Sequence, residues 1–446
     1  MSLIINKIRK IVLKNEFLSL TGNLSYAVLG FVSFLLLTRS FEKEIFGQWV
    51  LFVTASSFIE MFRFGLTRTA LVRFLSGANT EDKKTLIGSN WVISVSITVL
   101  LALIVFLVNV FFYQTVSVSG FRLFFAWYPV LAFVALPFNN ALTVLQAQQE
   151  FGKILFLRII NILFFDIFLA FNLFYFHYDI AVVIVVFMSF NAFTSFISLI
   201  KLWDGIRYLK YVKKETIKKI LNFGKFTLGT LIGSNVLKSA DAFIIGLSPI
   251  LGAHGVALYS VPLKLTEVME IPLRSMAATA FPKMSKESLK GNINKVRELF
   301  YTYTGALTLL FIPFAIFNFI FADFFVQIIG SAQYLETANI YRAFCLYGLI
   351  LPLDRFTGVA LDAVNLPKYN MYKVALMVTA NIIGDLIAVF YFKSIFAVAV
   401  ITILMTLVGI FMGNYFFNKK VPFKYKELFY YGFNFYWKYF QKKRIK

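Results

Sequence analysis

Apolar positions fall into long blocks along this chain, and polar positions collect in short connectors between them. Between Phe17 and Phe417, twelve apolar stretches follow one another. A helix of about twenty apolar residues crosses the roughly 30 Å hydrocarbon core of a bilayer. The pattern predicts an all-α polytopic membrane protein with about twelve transmembrane helices. The predicted spans are 17–38, 45–66, 86–112, 121–145, 154–176, 180–200, 221–247, 253–280, 299–322, 336–361, 370–391 and 395–417.

The composition leads to the same class of protein. Hydrophobic residues make up 59% of the chain and charged residues only 15%, and the mean hydropathy is +0.76. Soluble globular domains carry about 25% charged residues. A soluble protein is therefore excluded, and the connectors are too short to form a sizeable domain outside the membrane.

Basic residues occupy alternate connectors. The connectors on the side of the amino terminus, together with both terminal segments, hold 33 of the 44 Lys and Arg residues, whereas the opposite connectors hold only Arg39, Lys43 and Lys393. Cytoplasmic connectors carry such an excess, so both termini are predicted to be cytoplasmic. Topology and contact with anionic lipids explain the net charge of +22 better than a nucleic-acid partner does.

The most basic internal connector divides the spans into two sets of six, which predicts parallel repeats with a substrate between them. Within the repeats, Leu145–Lys153 parallels Leu361–Lys368. The basic, aromatic tail is expected along the inner membrane face; a partner-binding role for it stays open. The predicted regions are an amphipathic cytoplasmic segment at 1–16 that acts as an uncleaved signal anchor, a first lobe at 17–200, an inter-lobe loop at 201–220, a second lobe at 221–417 and the tail at 418–446.

Known catalytic motifs are absent from the sequence. It contains no glycine-rich phosphate loop and no His-Glu-x-x-His pair, and its two histidines, His177 and His254, lie in outward connectors. The single cysteine, Cys345, excludes a disulfide framework and lies in an apolar span. We therefore expect no enzyme activity, no cofactor and no metal centre.

Ionisable residues within apolar spans are costly, so each one is a candidate functional residue. In the eighth span, Lys264, Glu267, Glu270 and Arg274 fall at helical spacing within a stripe about 120° wide. The stripe has two interpretations. Its side chains line a hydrated cavity, or they form ion pairs that stabilise the helix, as the spacing of Glu270 and Arg274 allows.

Two other spans carry similar pairs. The seventh span contains Lys238 and Asp241, and the second contains Glu60 and Arg63. Arg and Lys bind phosphate oxygens, while carboxylates and amides bind sugar hydroxyl groups. A mixture of both charges therefore suits a phosphate-containing, sugar-rich substrate better than a lipophilic cation.

Several short motifs are distributed along the chain. They are Asn23-Leu-Ser-Tyr26, Leu37-Thr-Arg39, Phe46-Gly-Gln-Trp-Val50, Gln146–Lys153, Ser239–Gly246, Tyr259–Lys264 and Phe281-Pro-Lys283. These motifs resemble those of the Wzx-type O-antigen flippases, which export lipid-linked polysaccharide units. This family belongs to the multidrug/oligosaccharidyl-lipid/polysaccharide (MOP) superfamily, together with the MATE drug exporters and the lipid II flippases. The resemblance covers nearly the whole chain in length, span number and order of motifs.

The resemblance implies two six-helix lobes around a central cavity that is lined mainly by spans 1, 2, 7 and 8, with alternating access. Relatives differ widely in where they place charges. The candidate residues for the substrate cavity are Arg39, Arg63, Lys238, Lys264 and Arg274. The candidates for a coupling proton or sodium ion are Asp241, Glu267 and Glu270.

The expected function is the flipping of an undecaprenyl-pyrophosphate-linked oligosaccharide, such as an O-antigen unit of lipopolysaccharide, across the bacterial inner membrane by a monomer. Two alternatives remain open. A MATE-type cation antiporter would have a cavity rich in acids and aromatics. A membrane polysaccharide polymerase or ligase would have a large outward loop with Arg and His, but the longest outward connector, Asp323–Leu335, contains neither.

Overall fold

The computed structural model describes residues 15–75 and 78–444. Within these two ranges the chain is helical apart from short turns, and it contains no strand. Residues 1–14 of the predicted amphipathic segment lie outside the described residues. The fold is therefore all-α, as the blocks of apolar residues predict.

Seventeen helices follow one another along the described chain. They are α1 (Asn15–Ser40), α2 (Lys43–Gly65), α3 (Arg68–Leu75), α4 (Thr80–Phe111), α5 (Tyr113–Ser117), α6 (Arg122–Val134), α7 (Leu136–Ala147), α8 (Phe151–Phe171), α9 (Ile180–Ile200), α10 (Lys214–Gly246), α11 (Gly252–Leu289), α12 (Ile293–Ile320), α13 (Ala322–Gly330), α14 (Ala338–Ala363), α15 (Pro367–Leu386), α16 (Ile395–Lys420) and α17 (Tyr425–Arg444).

Eight helical segments in the described chain are long and apolar enough to cross a membrane. The pair α6 and α7 makes a ninth if it is counted as one bent span. The three remaining predicted spans correspond to α1, whose described apolar part is Leu24–Ser40, and to α10 and α11, which carry many charged residues. The chain is a multi-pass membrane protein.

The predicted fourth span, 121–145, is two helices rather than one. The chain bends by 53° between α6 and α7. Pro137 lies in the first turn of α7, where it has no backbone N–H to donate to the preceding turn and its ring displaces the carbonyl four residues earlier. The bend follows from this proline.

The chain divides into two compact units, Met1–Asn235 and Val236–Lys446. In unit 1, α1 packs on α8, and α4 packs on α6 and on the short 3-10 turn Ile206–Tyr211. Aromatic rings fill part of its interior, where Trp49 stacks on Phe165 and meets the edge of Phe187. Such close contacts, rather than exclusion from water, hold helices together inside a bilayer.

In unit 2, α14 is the central helix and packs on α11, α12 and α16. Phe300, Phe356 and Phe417 are fully buried among these helices. The tail helix α17 packs along α12, so the predicted tail is a helix docked on the second unit. Its position along the inner membrane face stays a prediction.

The two units repeat the same local turns. Gln149 and Asn365 both adopt left-handed backbone angles, with φ of 60° and 61°. His177 and Lys393 do so as well, at 53° and 52°, each after a short π-helical turn. Both pairs are 216 residues apart. Because non-glycine residues seldom adopt positive φ, this shared register supports the internal repeat that the sequence indicates.

Candidate functional site

The charged stripe of α11 forms one exposed face of that helix. Lys264 Nζ lies 2.7 Å from Glu267 Oε2, and Arg274 forms an ion pair with Glu270 one turn later. The opposite face of α11 is buried, with Met269 and Leu273 in the core of unit 2. The structure thus brings all four predicted residues together on one helix surface.

These four side chains are exposed to different degrees. Glu267 and Arg274 are the most open, with side-chain exposures of 56% and 62%, while Glu270 is 40% exposed and Lys264 20%. The ion pairs of the second interpretation are present, but they leave donor and acceptor atoms accessible. The charged atoms of this face are therefore accessible while the opposite face of α11 stays packed in unit 2.

Lys238 and Asp241 do not form the pair that their spacing allows. Lys238 is exposed, whereas Asp241 is 7% exposed and accepts hydrogen bonds inside unit 2. Asn381 Nδ2 donates to Asp241 Oδ1 at 2.9 Å, and the hydroxyl groups of Tyr259 and Thr402 donate to Oδ2. Two hydroxyl groups and one amide group therefore stabilise the Asp241 carboxylate.

A second carboxylate completes this buried cluster. Asp385 is fully buried and lies within hydrogen-bonding range of Asp241. Asn381 Nδ2 also donates to Asp385 Oδ2, at 2.7 Å, but Asp385 Oδ1 has no hydrogen-bond partner among the described residues. Two adjacent buried carboxylates repel each other when both are charged, so a shared proton or a bound cation would stabilise the pair.

Glu60 and Arg63 form a buried network in unit 1. Arg63 is fully buried; it forms an ion pair with Glu60 and donates to Thr98 Oγ1 at 3.0 Å and to the Ala132 carbonyl at 2.7 Å. Tyr128 also donates to Glu60. Most donors of the Arg63 guanidinium are therefore engaged within the unit. Arg39, the remaining substrate candidate, is exposed in the last turn of α1.

The sequence pattern did not single out Asn381 or Thr402. Asp385 is an ionisable residue of an apolar span and Tyr259 begins one of the quoted motifs, but neither was assigned to a site. The available signal was the spacing of Asn381 and Asp385, which are four apart and so lie on one face of α15. Asp166, an ionisable residue of the fifth span that was not assigned to a site, is buried in α8 and accepts a hydrogen bond from Ser33 of α1. These contacts join residues distant in sequence, which helical periodicity does not reveal.

Comparison with known proteins gives a family and a fold. The model of a family described as polysaccharide biosynthesis protein matches residues 12–288. A curated relative from Haloferax volcanii, described as the probable low-salt glycan biosynthesis flippase Agl15, is 21% identical over 218 residues. That alignment covers 49% of this chain and 46% of the relative, so the chain spans about half the length of the curated relative it matches.

Two solved structures share the fold of the chain. One is an inward-facing MATE family multidrug resistance transporter of the MOP superfamily, with a TM-score of 0.74 and 13% identity over 89% of this chain and 94% of the other. The second is the lipid II flippase MurJ in an inward closed conformation, with a TM-score of 0.73 and 14% identity over 94% and 90%. At this level of identity the two structures establish the fold alone.

Proposed function

Because the chain belongs to the polysaccharide biosynthesis protein family, we propose that it flips a lipid-linked oligosaccharide across the membrane. The substrate would be an undecaprenyl-pyrophosphate-linked unit of O-antigen or another surface polysaccharide. It would move from the cytoplasmic to the outer leaflet of a bacterial inner membrane, in which the protein is a monomer with both termini in the cytoplasm. The lipid II flippase and the glycan flippase among its relatives support this assignment.

The exposed charged face of α11 is the observation that carries the proposal. Lys264 and Arg274 offer cationic donors to phosphate oxygens. Glu267 and Glu270 lie beside them and can accept hydrogen bonds from sugar hydroxyl groups. Two basic and two acidic side chains thus lie along one membrane helix, where charges are costly and mark a substrate or ion pathway.

The proposed cycle is alternating access. The sugar and diphosphate would bind to polar side chains. The polyprenyl chain would stay in the bilayer, because exposing its apolar surface to water costs free energy. A carrier of this kind binds its substrate in two conformations. Net transport of the substrate in one direction also needs a driving force. The sequence contains no phosphate loop for ATP, so we propose that an ion gradient or consumption of the product drives transport.

We propose Asp241 and Asp385 as the site of the coupling ion. Among the predicted candidates Asp241, Glu267 and Glu270, only Asp241 is buried and lies beside a second acid. Protons or sodium ions suit the site equally, because two carboxylates and the hydroxyl groups of Tyr259 and Thr402 supply oxygen ligands. Binding and release would change the charge on α10 and α15.

Complementation of a bacterium that lacks its own flippase tests this function. The wild type should restore surface glycan, and Lys264→Ala or Arg274→Ala should reduce it by roughly tenfold or more at equal membrane levels, because a charge-assisted bond is worth about 1.5–3 kcal/mol. Lys290→Ala is the matched control, since Lys290 pairs with Glu287 at the end of the same helix.

A neutral double variant separates binding from packing. Lys264→Gln combined with Glu267→Gln removes the ion pair without leaving an unpaired charge. If the pair only stabilised α11, this variant would export glycan normally, which would contradict the proposed role. In a panel of host strains with different glycans, failure of the wild type in every strain would contradict glycan flipping.

A MATE-type cation antiporter is the second candidate, and the buried pair of Asp241 and Asp385 is the observation that favours it. Drug susceptibility distinguishes the two functions. The antiporter would raise the inhibitory concentration of cationic dyes in an efflux-deficient host, and this gain would disappear in Asp385→Asn. The flippase predicts no change in inhibitory concentration.

A further inference from the structure

The break between α6 and α7 frees backbone groups that a continuous helix would pair. In a helix each N–H donates to the carbonyl four residues earlier, so the Phe138 N–H would donate to Val134. Pro137 has no N–H to donate, and the chain bends by 53° at this point. Inside a membrane unit such freed groups need other partners. Two side chains from other helices of unit 1 supply them.

The hydroxyl group of Ser195, on α9, is inserted between two of these groups. It accepts a hydrogen bond from the Phe138 N–H at 3.2 Å and donates one to the Val134 carbonyl at 2.6 Å. Ser195 is only 4% exposed. A side chain that enters the backbone hydrogen bonds of a helix is a known cause of a sharp bend. Ser195 therefore keeps the two helices apart where a direct bond would join them.

Arg63 of α2 contacts the other freed end, the last turn of α6. Its Nη2 donates to the Ala132 carbonyl at 2.7 Å, its Nε donates to Thr98 Oγ1 at 3.0 Å, and its Nη1 pairs with Glu60. A cation is favourable at the carboxyl end of a helix. All three guanidinium nitrogens are engaged and the side chain is 0% exposed, so a substrate has no access to Arg63 in this conformation.

Glu60 extends this contact across the break. Its carboxylate accepts hydrogen bonds from the Tyr128 hydroxyl of α6 at 3.3 Å and from Asn139 Nδ2 of α7 at 3.2 Å. The ion pair of Glu60 and Arg63 thus contacts the helix on each side of the bend. Together with Ser195, this pair determines the angle at which α6 and α7 meet.

The two helices that meet at the break contact helices throughout unit 1. α6 packs on α2, α4 and α9, and α7 packs on α3, α8 and α9. Their angle therefore decides how these helices lie relative to one another. The Phe138 N–H has two alternative acceptors, Ser195 Oγ in the bent form and the Val134 carbonyl in a straighter one. The break can thus change its angle without losing a backbone hydrogen bond, as a hinge requires.

We propose that Arg63 and Ser195 are positioning residues for transport, which set the angle between α6 and α7. Arg63 acts through the Ala132 carbonyl and Ser195 acts through the backbone groups on either side of Pro137, so neither contacts the substrate. The inference rests on the proposed function, because the angle controls how fast unit 1 changes conformation in the transport cycle. Arg63 thereby has a different role from the cavity residue that the sequence suggests.

A distance across the break tests the bend itself. Spin labels are attached at Arg122→Cys and Gln146→Cys, two exposed positions at the far ends of α6 and α7, in the full chain that also carries Cys345→Ser. The two backbone positions are about 32 Å apart with the bend of 53° and would be about 36 Å apart in a straight helix. Electron spin resonance of the protein in vesicles measures this distance without any substrate.

Variants of Ser195 should change the distance in a defined direction. Ser195→Ala should lengthen it, because the Phe138 N–H then donates directly to Val134. Ser195→Thr keeps the hydroxyl group and should keep the wild-type distance. Ser198→Ala is the matched control, since this buried hydroxyl group on the same helix donates to the Thr194 carbonyl and not to the break.

Transport kinetics separate positioning from substrate binding. The rate of flipping is measured against the fraction of undecaprenyl-pyrophosphate-linked oligosaccharide in the vesicles. Glu60→Gln combined with Arg63→Gln removes the pair without leaving an unpaired charge. This double variant and Ser195→Ala should each lower kcat roughly three- to tenfold and change KM less than about twofold. Lys264→Ala, on the proposed substrate face, should instead raise KM.

The outcomes distinguish the two proposals. A raised KM with unchanged kcat in the double variant would assign Arg63 to the substrate and overturn the positioning role. An unchanged label distance in Ser195→Ala would overturn it as well, and so would an equal loss of kcat in Ser198→Ala. If the distance changes as expected but the wild type moves no lipid-linked glycan, the proposed function fails. If the wild type transports and the variants keep its kcat, only the positioning role fails.

Discussion

Two buried carboxylates, Asp241 and Asp385, form the proposed ion site. Asp241 has donors to both of its oxygens, whereas Asp385 has one oxygen without a partner among the described residues. Like charges in a medium of low dielectric constant repel strongly. A bound proton or cation relieves this repulsion. Its movement down a gradient across the membrane would supply the free energy for transport.

Neutralising one of these acids should uncouple transport. We expect Asp385→Asn to reduce ion-dependent transport by roughly tenfold or more while it keeps or raises thermal stability, because the variant removes a buried charge. The measurement is glycan export together with the melting temperature. Asp362→Asn is the control, since Asp362 is an exposed acid of unit 2. Normal ion-dependent transport in Asp385→Asn would contradict the proposed coupling site.

Asp204 is a buried acid outside the spans, in the connector that precedes α10. Burial raises its pKa from 3.8 to about 6, although backbone N–H groups donate to it. The folded state therefore binds its proton more tightly than the unfolded state, so its ionisation lowers stability progressively between about pH 4 and pH 6. The loss is fully present at neutral pH and is absent below the unfolded pKa.

Asp204→Asn should remove this loss, because the amide keeps the acceptor oxygen and carries no charge. We expect the variant to be more stable than the wild type by about 3 kcal/mol at pH 7.5, and this difference should disappear as the pH falls below the unfolded pKa of 3.8. Thermal unfolding of both proteins across this pH range measures it. A constant difference at all pH values would contradict the assigned ionisation.

At the level of elements, glycine allows α17 to dock on α12. A Cβ atom on Gly305 would lie 1.9 Å from the Leu428 carbonyl oxygen, and one on Gly432 would lie 2.4 Å from the Gly305 carbonyl carbon. Tyr436 adds a hydrogen bond of 2.9 Å to the Ala306 carbonyl. The backbones thus touch, which only small residues permit.

Gly305→Ala should displace α17 from α12, because a backbone oxygen blocks the added methyl group. We expect a loss of about 2–3 kcal/mol, as for other overpacked sites. Thermal unfolding measures the loss, and faster proteolysis of the tail would locate it. Gly30→Ala is the matched control, since the nearest atom to its added Cβ would be 3.9 Å away. Equal stability of both variants would contradict the docking contact.

Long apolar blocks predicted most helices, because a chain segment that crosses a bilayer must satisfy its own backbone hydrogen bonds and does so as a helix. The prediction was less accurate where a single residue decides the backbone, as at Pro137, which splits the fourth span. The charged stripe of α11 was predictable because its residues are neighbours on one helix. The hydrogen-bonded cluster around Asp241 was not predictable, since Tyr259, Asn381 and Thr402 contact Asp241 from three other helices. Contacts between residues distant in sequence produce no periodic pattern along the chain.

At the level of the whole molecule, the proposed ion site and the proposed substrate face share a helix. Tyr259, which donates to Asp241, lies five residues before Lys264 on α11. Exchange of an ion at Asp241 and Asp385 would therefore change a contact of the same helix that presents Lys264 and Arg274. Such a shared element can couple two binding events, provided that each favours a different conformation.

Transport by the purified protein tests the central claim most directly. The chain would be reconstituted in vesicles that contain an undecaprenyl-pyrophosphate-linked oligosaccharide, and a glycosidase would report the leaflet in which the sugar is exposed. We predict that the wild type moves the sugar between leaflets, that an imposed proton or sodium gradient changes the rate, and that Asp385→Asn removes this change. A wild type that leaves the sugar in its original leaflet under every gradient would contradict the account.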